Sequence, residues 1–215
     1  MAFKKTIVFD LDDTLIKEID YIKSAFKEIA IFVDFKDDNL YNQMLKWYFD
    51  KENVFDNLIK IYSKIDIQDL KNIYRNHYPD FECSIKIKNF LENLKQKNYN
   101  LGLITDGFAV TQRNKIRALE IENLFDLIII SEEFGSEKPN RNNFEIFHQF
   151  ASDIYFYVGD NLKKDFVTPN KLGWQTICVL NDGQNIHEQN FDIVSDSIYL
   201  PKHKISNLLE INNLI

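Results

Sequence analysis

Apolar residues recur along this chain in two rhythms. In the first third the spacing is helical. Within "IDYIKSAFKEIAIF", Ile19, Ile22, Phe26 and Ile29 fall near i, i+3, i+7 and i+10, which is one face of a helix. "LYNQMLKWYF" and "VFDNLIKIY" repeat that kind of spacing, and "DIQDLKNIYRNHYP" runs from a capping-type Asp66 to a stop at Pro79. No glycine precedes Gly102 and no proline precedes Pro79, so this block carries almost none of the usual loop punctuation. Beyond Pro79 the rhythm changes. A helical "SIKIKNFLENLKQKN" leads into the short apolar run "LGLIT", and a helix around "QRNKIRAL" into "FDLIIIS". A helix near "NNFEIFHQF" precedes "IYFYVGD", and one near "LKKDFVTPNKL" precedes "QTICVL".

Short apolar strands alternating with helices predict an α/β fold: a doubly wound, mostly parallel, Rossmann-like sheet with helices on both faces. The early strand "KTIVFD" belongs with the later ones. The helical block then reads as an insertion, which predicts an α/β core of residues 1–16 and 81–215 and an all-helical domain of residues 17–80. From about Asn181 the chain reads as a last βα segment. "NDGQNIHEQNFDIVSDSIYL" is expected to turn at Asp182 and Gly183 and end in a weak strand or loop, and "KISNLLEINNLI" to form a closing amphipathic helix.

Composition narrows the function classes. The 215 residues are 45% hydrophobic and 14% aromatic, which suits a packed globular protein. A net charge of −7 argues against a nucleic-acid partner. No run approaches the roughly 20 apolar residues of a membrane span, and the apolar run after "MAFKK" breaks at Asp10, too early for a signal peptide. Cys83 and Cys178 are too few for a disulfide scaffold and fit a reducing compartment. A soluble, cytoplasmic protein is expected, monomeric or homodimeric. His77, His148, His187 and His203 cluster with no motif, and no catalytic role is expected of them.

In an open parallel sheet, ligands bind beyond the carboxyl ends of the strands. Strand 1 ends in Asp10-Leu11-Asp12-Asp13-Thr14, and "LGLIT" ends in Thr105-Asp106-Gly107. "FDLIIIS" ends in Ser131 and runs on to Lys138 before Pro139, while "IYFYVG" ends in Gly159-Asp160 with Asp165 following. Singly, each has an ordinary explanation: an aspartate after a strand is usually a turn residue or a helix cap. Together they put several carboxylates, a hydroxyl and a lysine on one edge. Such a cluster repels itself unless a cation or a proton sits there, which points to a hard divalent ion with oxygen ligands, Mg²⁺ first.

"DLDDT", "TDG", "EKP" and "GDNLKKD", in that order, resemble the four motifs of the haloacid dehalogenase (HAD) superfamily across the whole chain. The stretch from "LITDG" to "EKP" resembles the subgroup with a helical C1 cap after the first motif, which includes nucleotidases, sugar phosphatases and N-acylneuraminate 9-phosphatase-like enzymes. The resemblance implies a Mg²⁺-dependent phosphatase acting on a small soluble phosphorylated metabolite: a sugar phosphate, a nucleoside monophosphate, or a polyol or amino-alcohol phosphate. It implies that Asp10 is a nucleophile forming an aspartyl-phosphate and that Asp12 is the acid and base. Thr105 would hold a phosphoryl oxygen with backbone N–H groups near Leu11 and Asp106, and Lys138 would neutralise charge. Asp10, the carbonyl of Asp12, and Asp160 would hold the metal, with Asp165 and Asn161 close behind. Asp13 is expected to cap the turn and Thr14 to orient the loop.

Three alternatives stand beside this. Dehalogenases of the superfamily lack an acid/base aspartate two places after the nucleophile, and Asp12 stands here. An inactive binding protein would have lost a motif residue, and none of Asp10, Asp12, Thr105, Lys138 and Asp160 is missing. A phosphomutase of the β-phosphoglucomutase type stays open. Substrate contacts from the cap are sought among Tyr21, Lys23, Lys46, Trp47, Tyr48 and Arg75, and a phosphate neighbour in Arg113.

Overall fold

The structure, a computed structural model, describes residues 3–81 and 84–215. Its six strands are β1 (Lys5–Phe9), β2 (Asn100–Thr105), β3 (Leu127–Ile130), β4 (Ile154–Gly159), β5 (Gln175–Val179) and β6 (His203–Ile205). All pair in parallel, in the order β3-β2-β1-β4-β5-β6. Strands covered on both faces read as continuous apolar runs, and Ile7, Val8 and Phe9 of β1 are fully buried. The chain fills one side of β1 with β2 and β3, then crosses to the other with β4. That reversal opens a crevice at the carboxyl end of β1.

The helical rhythm of the first third resolves into α1 (Glu18–Asp34), α2 (Leu40–Phe49), α3 (Val54–Ile61) and α4 (Ile67–Asn76). Asp66 caps α4, its side chain accepting from the Gln68 N–H at 2.8 Å, and Asn53 caps α3 in the same way. Ile19, Ile22, Phe26 and Ile29 line one apolar cluster with Met44, Trp47, Leu58 and Leu70, separate from the clusters around the sheet.

The later helices are α5 (Ser84–Gln96), α6 (Ala109–Ala118), α7 (Ser131–Phe134), α8 (Asn142–Glu145) and α9 (Val167–Lys171). Two are shorter than their patterns predict: "NNFEIFHQF" passes from α8 into a 3₁₀ turn, and "LKKDFVTPNKL" keeps only α9. The tail departs most. The last strand is "HKI", where the closing helix was expected to begin, and residues Leu208–Asn213 form a 3₁₀ helix. Asn190, Asp196 and Asn207 each accept a hydrogen bond from the N–H two residues on, at 3.2, 3.0 and 2.9 Å. Such local bonds favour isolated turns over a continuous helix. Among the described residues no helix is long and apolar enough to cross a membrane. Cys178 is buried in β5, and burial pushes its thiol pKa up; Cys83 lies outside the described residues.

Gly102 of β2 lies directly against the Phe147 ring. A Cβ there would lie 2.2 Å from the Phe147 ring. Gly102→Ala is expected to cost about 1–3 kcal/mol by overpacking, read as a lower urea midpoint with an unchanged slope. An unchanged midpoint would mean that the ring moves aside freely.

Candidate active site

Asp10 is the first residue past β1, and its N–H still donates to the Val158 carbonyl of β4 at 2.8 Å. The backbone then folds sharply: the Leu15 N–H returns to the Leu11 carbonyl at 2.9 Å, with Asp13 at φ 54°. This turn holds the Asp10 carboxylate rigidly. Oδ1 accepts from the Leu11 N–H at 2.8 Å, and Oδ2 pairs with Lys138 Nζ at 2.8 Å.

Lys138 arrives from the loop after α7, its N–H donating to Asp106 Oδ1 at 3.1 Å. Its ammonium is buried between Asp10 and Asp165, at 2.8 Å from each, and also donates to the Tyr157 hydroxyl at 3.2 Å. Burial alone would lower its pKa; the two carboxylates outweigh that and hold it charged, well above the usual lysine range. Asp165 is fully buried and committed to the protein: the N–H groups of Asp160 and Asn161 and the Tyr157 hydroxyl donate to it, at 3.1, 2.8 and 3.2 Å.

The cluster is rich in uncompensated negative charge. Burial, opposed by Lys138, pushes Asp10 up to about 7. Burial, then the charges of Asp10 and Asp165, push Asp160 up to about 9. Among the described residues Asp160 has no cationic partner, and Asn185 Nδ2 is the side-chain group that donates to it, at 3.3 Å. Carboxylate oxygens of Asp10, Asp160 and Asp165 lie within 4.8 Å of one another. Oxygen donors of this kind, short of positive charge, fit a hard divalent cation.

Asp10, Asp12, Thr105, Asp106, Lys138, Asp160 and Asn161 line one cavity of about 150 Å³. Leu11 contributes through its backbone, and Asp165 lies behind the lining. Asp13 does more than cap the turn. Oδ1 accepts from the Glu18 N–H at the start of α1, and Oδ2 from the Ile186 N–H, at 3.1 and 2.8 Å. Thr14 is buried, with no hydrogen-bond partner for its hydroxyl among the described residues.

Several expectations need correction. Glu18, Lys164 and His187 also line the cavity, so His187 does meet the motif residues. Its loop is tied down by Lys17, whose Nζ donates to Asp182 and Asn185 at 2.8 and 2.6 Å. Arg113 is no phosphate neighbour; Glu122 and Glu133 engage its guanidinium. None of the six cap candidates lines the 150 Å³ cavity. Trp47 is buried in the helical cluster, Lys46 is exposed and paired with Asp50, and Arg75 stacks on Phe108. Tyr21 is buried with its hydroxyl on the Tyr74 carbonyl. Lys23 and Tyr48 line a separate cavity of about 620 Å³ between α1, α2 and residues 183–186.

Sequence reasoning also missed Gln112 and Lys115 of α6. The two N–H groups of Gln112 Nε2 are shared among Asp12 Oδ2, Thr105 Oγ1 and the Asp106 carbonyl, at 2.9, 2.7 and 2.8 Å. Lys115 Nζ donates to both Asp12 oxygens, at 2.7 and 2.8 Å. Both fall on the inward face with Ile116 and Leu119, and polar residues at inward positions were the available signal.

Residues 7–179 match the family of haloacid dehalogenase-like hydrolases. The chain is 31% identical over 202 residues to the glyceraldehyde 3-phosphate phosphatase of Methanocaldococcus jannaschii, covering 82% of this chain and 85% of that one. It is 33% identical over 95 residues to the pyrimidine 5'-nucleotidase YjjG of Escherichia coli, 42% of each. The solved structure of the HAD-hydrolase YfnB from Bacillus subtilis bound to magnesium superposes with a TM-score of 0.63 at 18% identity, over 99% of both chains.

Proposed function

We propose a phosphatase: this chain belongs to the haloacid dehalogenase-like hydrolase family, and its site can pass a phosphoryl group through Asp10. The observation that carries this is the pairing of two differently held carboxylates. Asp10 is fixed by Lys138 and the Leu11 N–H, while Asp12, two residues on, sits beside Thr105 through Gln112. One suits a nucleophile and the other a proton carrier.

The steps follow from those positions. An Asp10 oxygen attacks phosphorus as the bond to the ester oxygen breaks, and Asp12 gives that oxygen a proton, releasing the alcohol. Asp10 is then an aspartyl-phosphate. Asp12, now a carboxylate, takes a proton from the water that attacks phosphorus. Inorganic phosphate leaves and Asp10 is restored. Thr105 and backbone N–H groups near Leu11 and Asp106 that are not already engaged hold phosphoryl oxygens, and Lys138 offsets the charge gathered on them. Asp10, the Asp12 carbonyl and Asp160 are the residues that would hold a divalent cation, with Asp165 and Asn161 behind them. Mg²⁺ bound there would supply charge neutralisation for the transferring group.

In this proposal helices α1–α4, residues 17–80, act as a cap over a core of residues 1–16 and 81–215. The cavity is smaller than the roughly 300–1,000 Å³ of sites for drug-sized ligands, and Glu18, Lys164 and His187 make its lining polar. Both support a short hydroxylated phosphate, of triose-phosphate size, over a nucleotide. The archaeal relative named for glyceraldehyde 3-phosphate supports the same class.

Phosphate release from triose, hexose, polyol and nucleoside phosphates, each with Mg²⁺ and with EDTA, tests this. The proposal expects metal-dependent turnover with the short phosphates ranked first by kcat/KM; no release from any ester would refute it. A second readout needs no turnover. Mg²⁺ at 100 times its Kd is expected to stabilise the wild type against unfolding by about 2.7 kcal/mol, and Asp160→Ala far less. Equal stabilisation of both proteins would place the metal elsewhere.

A further inference from the structure

Lys115 and Gln112 have no part in the steps above, yet their positions are demanding. Both residues are almost fully enclosed, at 3% and 2% exposure, and lysine is almost never fully buried unless paired. Lys115 Nζ sits 4.5 Å from the centre of the Tyr21 ring of α1 and reaches both oxygens of Asp12, at 2.7 and 2.8 Å. The Gln112 amide joins Asp12 to Thr105, at 2.9 and 2.7 Å. The orientation of that amide is assigned from its partners: a carboxylate and the Asp106 carbonyl only accept, so nitrogen faces them.

We propose that Lys115 and Gln112 are positioning residues for Asp12, fixing its carboxyl group beside Thr105 so that its proton meets the leaving oxygen of a phosphate ester. The inference rests on the phosphatase proposal. An ammonium group has three N–H donors and here touches both carboxyl oxygens, so one contact survives when the other oxygen carries the proton. Gln112 ties the same carboxyl to the hydroxyl assigned to the phosphoryl group, which sets the distance between acid and ester. The clasp also meets the cap. Tyr21 belongs to α1, and the same turn of α6 is bound to the end of α4 by Asn114 Nδ2 donating to the Asn76 carbonyl at 2.9 Å. One helix thus seats both the cap and the acid.

Leaving-group dependence separates this role from a structural one. A p-nitrophenolate departs without a proton, whereas an alkoxide needs one. Misplacing the acid therefore lowers kcat/KM for an alkyl phosphate more than for p-nitrophenyl phosphate. Asp12→Ala is the reference, expected to lower the alkyl-to-aryl ratio about 10²-fold or more. Lys115→Met is expected to lower it about tenfold or more, and Lys115→Arg to recover part of the loss. Gln112→Met, which leaves no charge unpaired, is expected to move the ratio in the same direction and carries the test if Lys115→Met does not fold. Equal losses on both substrates in the Lys115 and Gln112 variants, with the ratio lowered in Asp12→Ala, would overturn the positioning role and leave the phosphatase proposal standing. An unchanged ratio in Asp12→Ala would remove Asp12 as the acid and overturn the positioning role with it, while turnover of both esters would leave the phosphatase activity standing.

Discussion

Asp10→Asn is expected to fold normally and to lose phosphate release by roughly 10⁴-fold or more, the scale seen when a catalytic nucleophile is removed. The amide is a far weaker nucleophile, but its shape is nearly that of the carboxylate. Its oxygen can still accept from the Leu11 N–H, and Lys138 keeps Asp165 as a charged partner at 2.8 Å. The substitution also removes one negative charge from a crowded site. Circular dichroism and phosphate release on the same preparation check both halves. A variant that folds and still turns over at a tenth of the wild-type rate would remove Asp10 from the chemistry.

Lys138→Met is expected to be the most destabilising single change in the site. The Lys138 side chain is 1% exposed and lies between two carboxylates that are themselves buried. Methionine replaces its aliphatic stem but leaves Asp10 and Asp165 facing each other uncompensated. Breaking a buried pair in this way costs about 3–5 kcal/mol, a large share of the roughly 5–15 kcal/mol of a typical domain. Urea unfolding should show the loss. Lys138→Met with Asp10→Asn should lose less than Lys138→Met alone, because the second change removes one of the stranded charges. Equal or greater loss in the double variant would mean that the ammonium does not act by compensating Asp10.

The same charge logic explains how much of this protein was legible in its sequence. Strands β1 to β5 were visible as apolar runs because each is buried on both faces. The polar residues at their ends were visible because the runs stop there abruptly: Asp10 after Phe9, Thr105 after Ile104, Asp160 after Gly159. Topology then placed them together, since parallel strands share one carboxyl edge. Asp66 could be placed as a helix cap by local chemistry alone.

What was missed depends on contacts between residues far apart in sequence. Tyr157 looks like one more apolar residue of its strand, and only the fold sets its hydroxyl against Lys138 and Asp165. Lys115 and Gln112 sit in a short helix of mixed character, and their partner Asp12 is about a hundred residues away. The loop carrying Asn185 and His187 has no periodicity to read. It is set by bonds from Lys17 and to Asp13, across more than 160 residues. Arg113 was misjudged for the opposite reason. Its nearness in sequence to Thr105 suggested the site, but Glu122 and Glu133 draw it to the outer side of α6. The cap candidates were chosen by residue type, and the helical cluster claimed Trp47 for its core.

The proposed mechanism requires a phosphoryl group to reside on Asp10 during turnover. The most direct measurement is an acid quench of the enzyme with a turned-over ester, followed by peptide mapping by mass spectrometry. A phosphoryl adduct is expected on the peptide carrying Asp10, formed with Mg²⁺, lost on standing at neutral pH, and absent in Asp10→Asn. Turnover of the same ester with no adduct at any quench time, in the wild type or in Asp12→Ala, where loss of the base should prolong the intermediate, would contradict it.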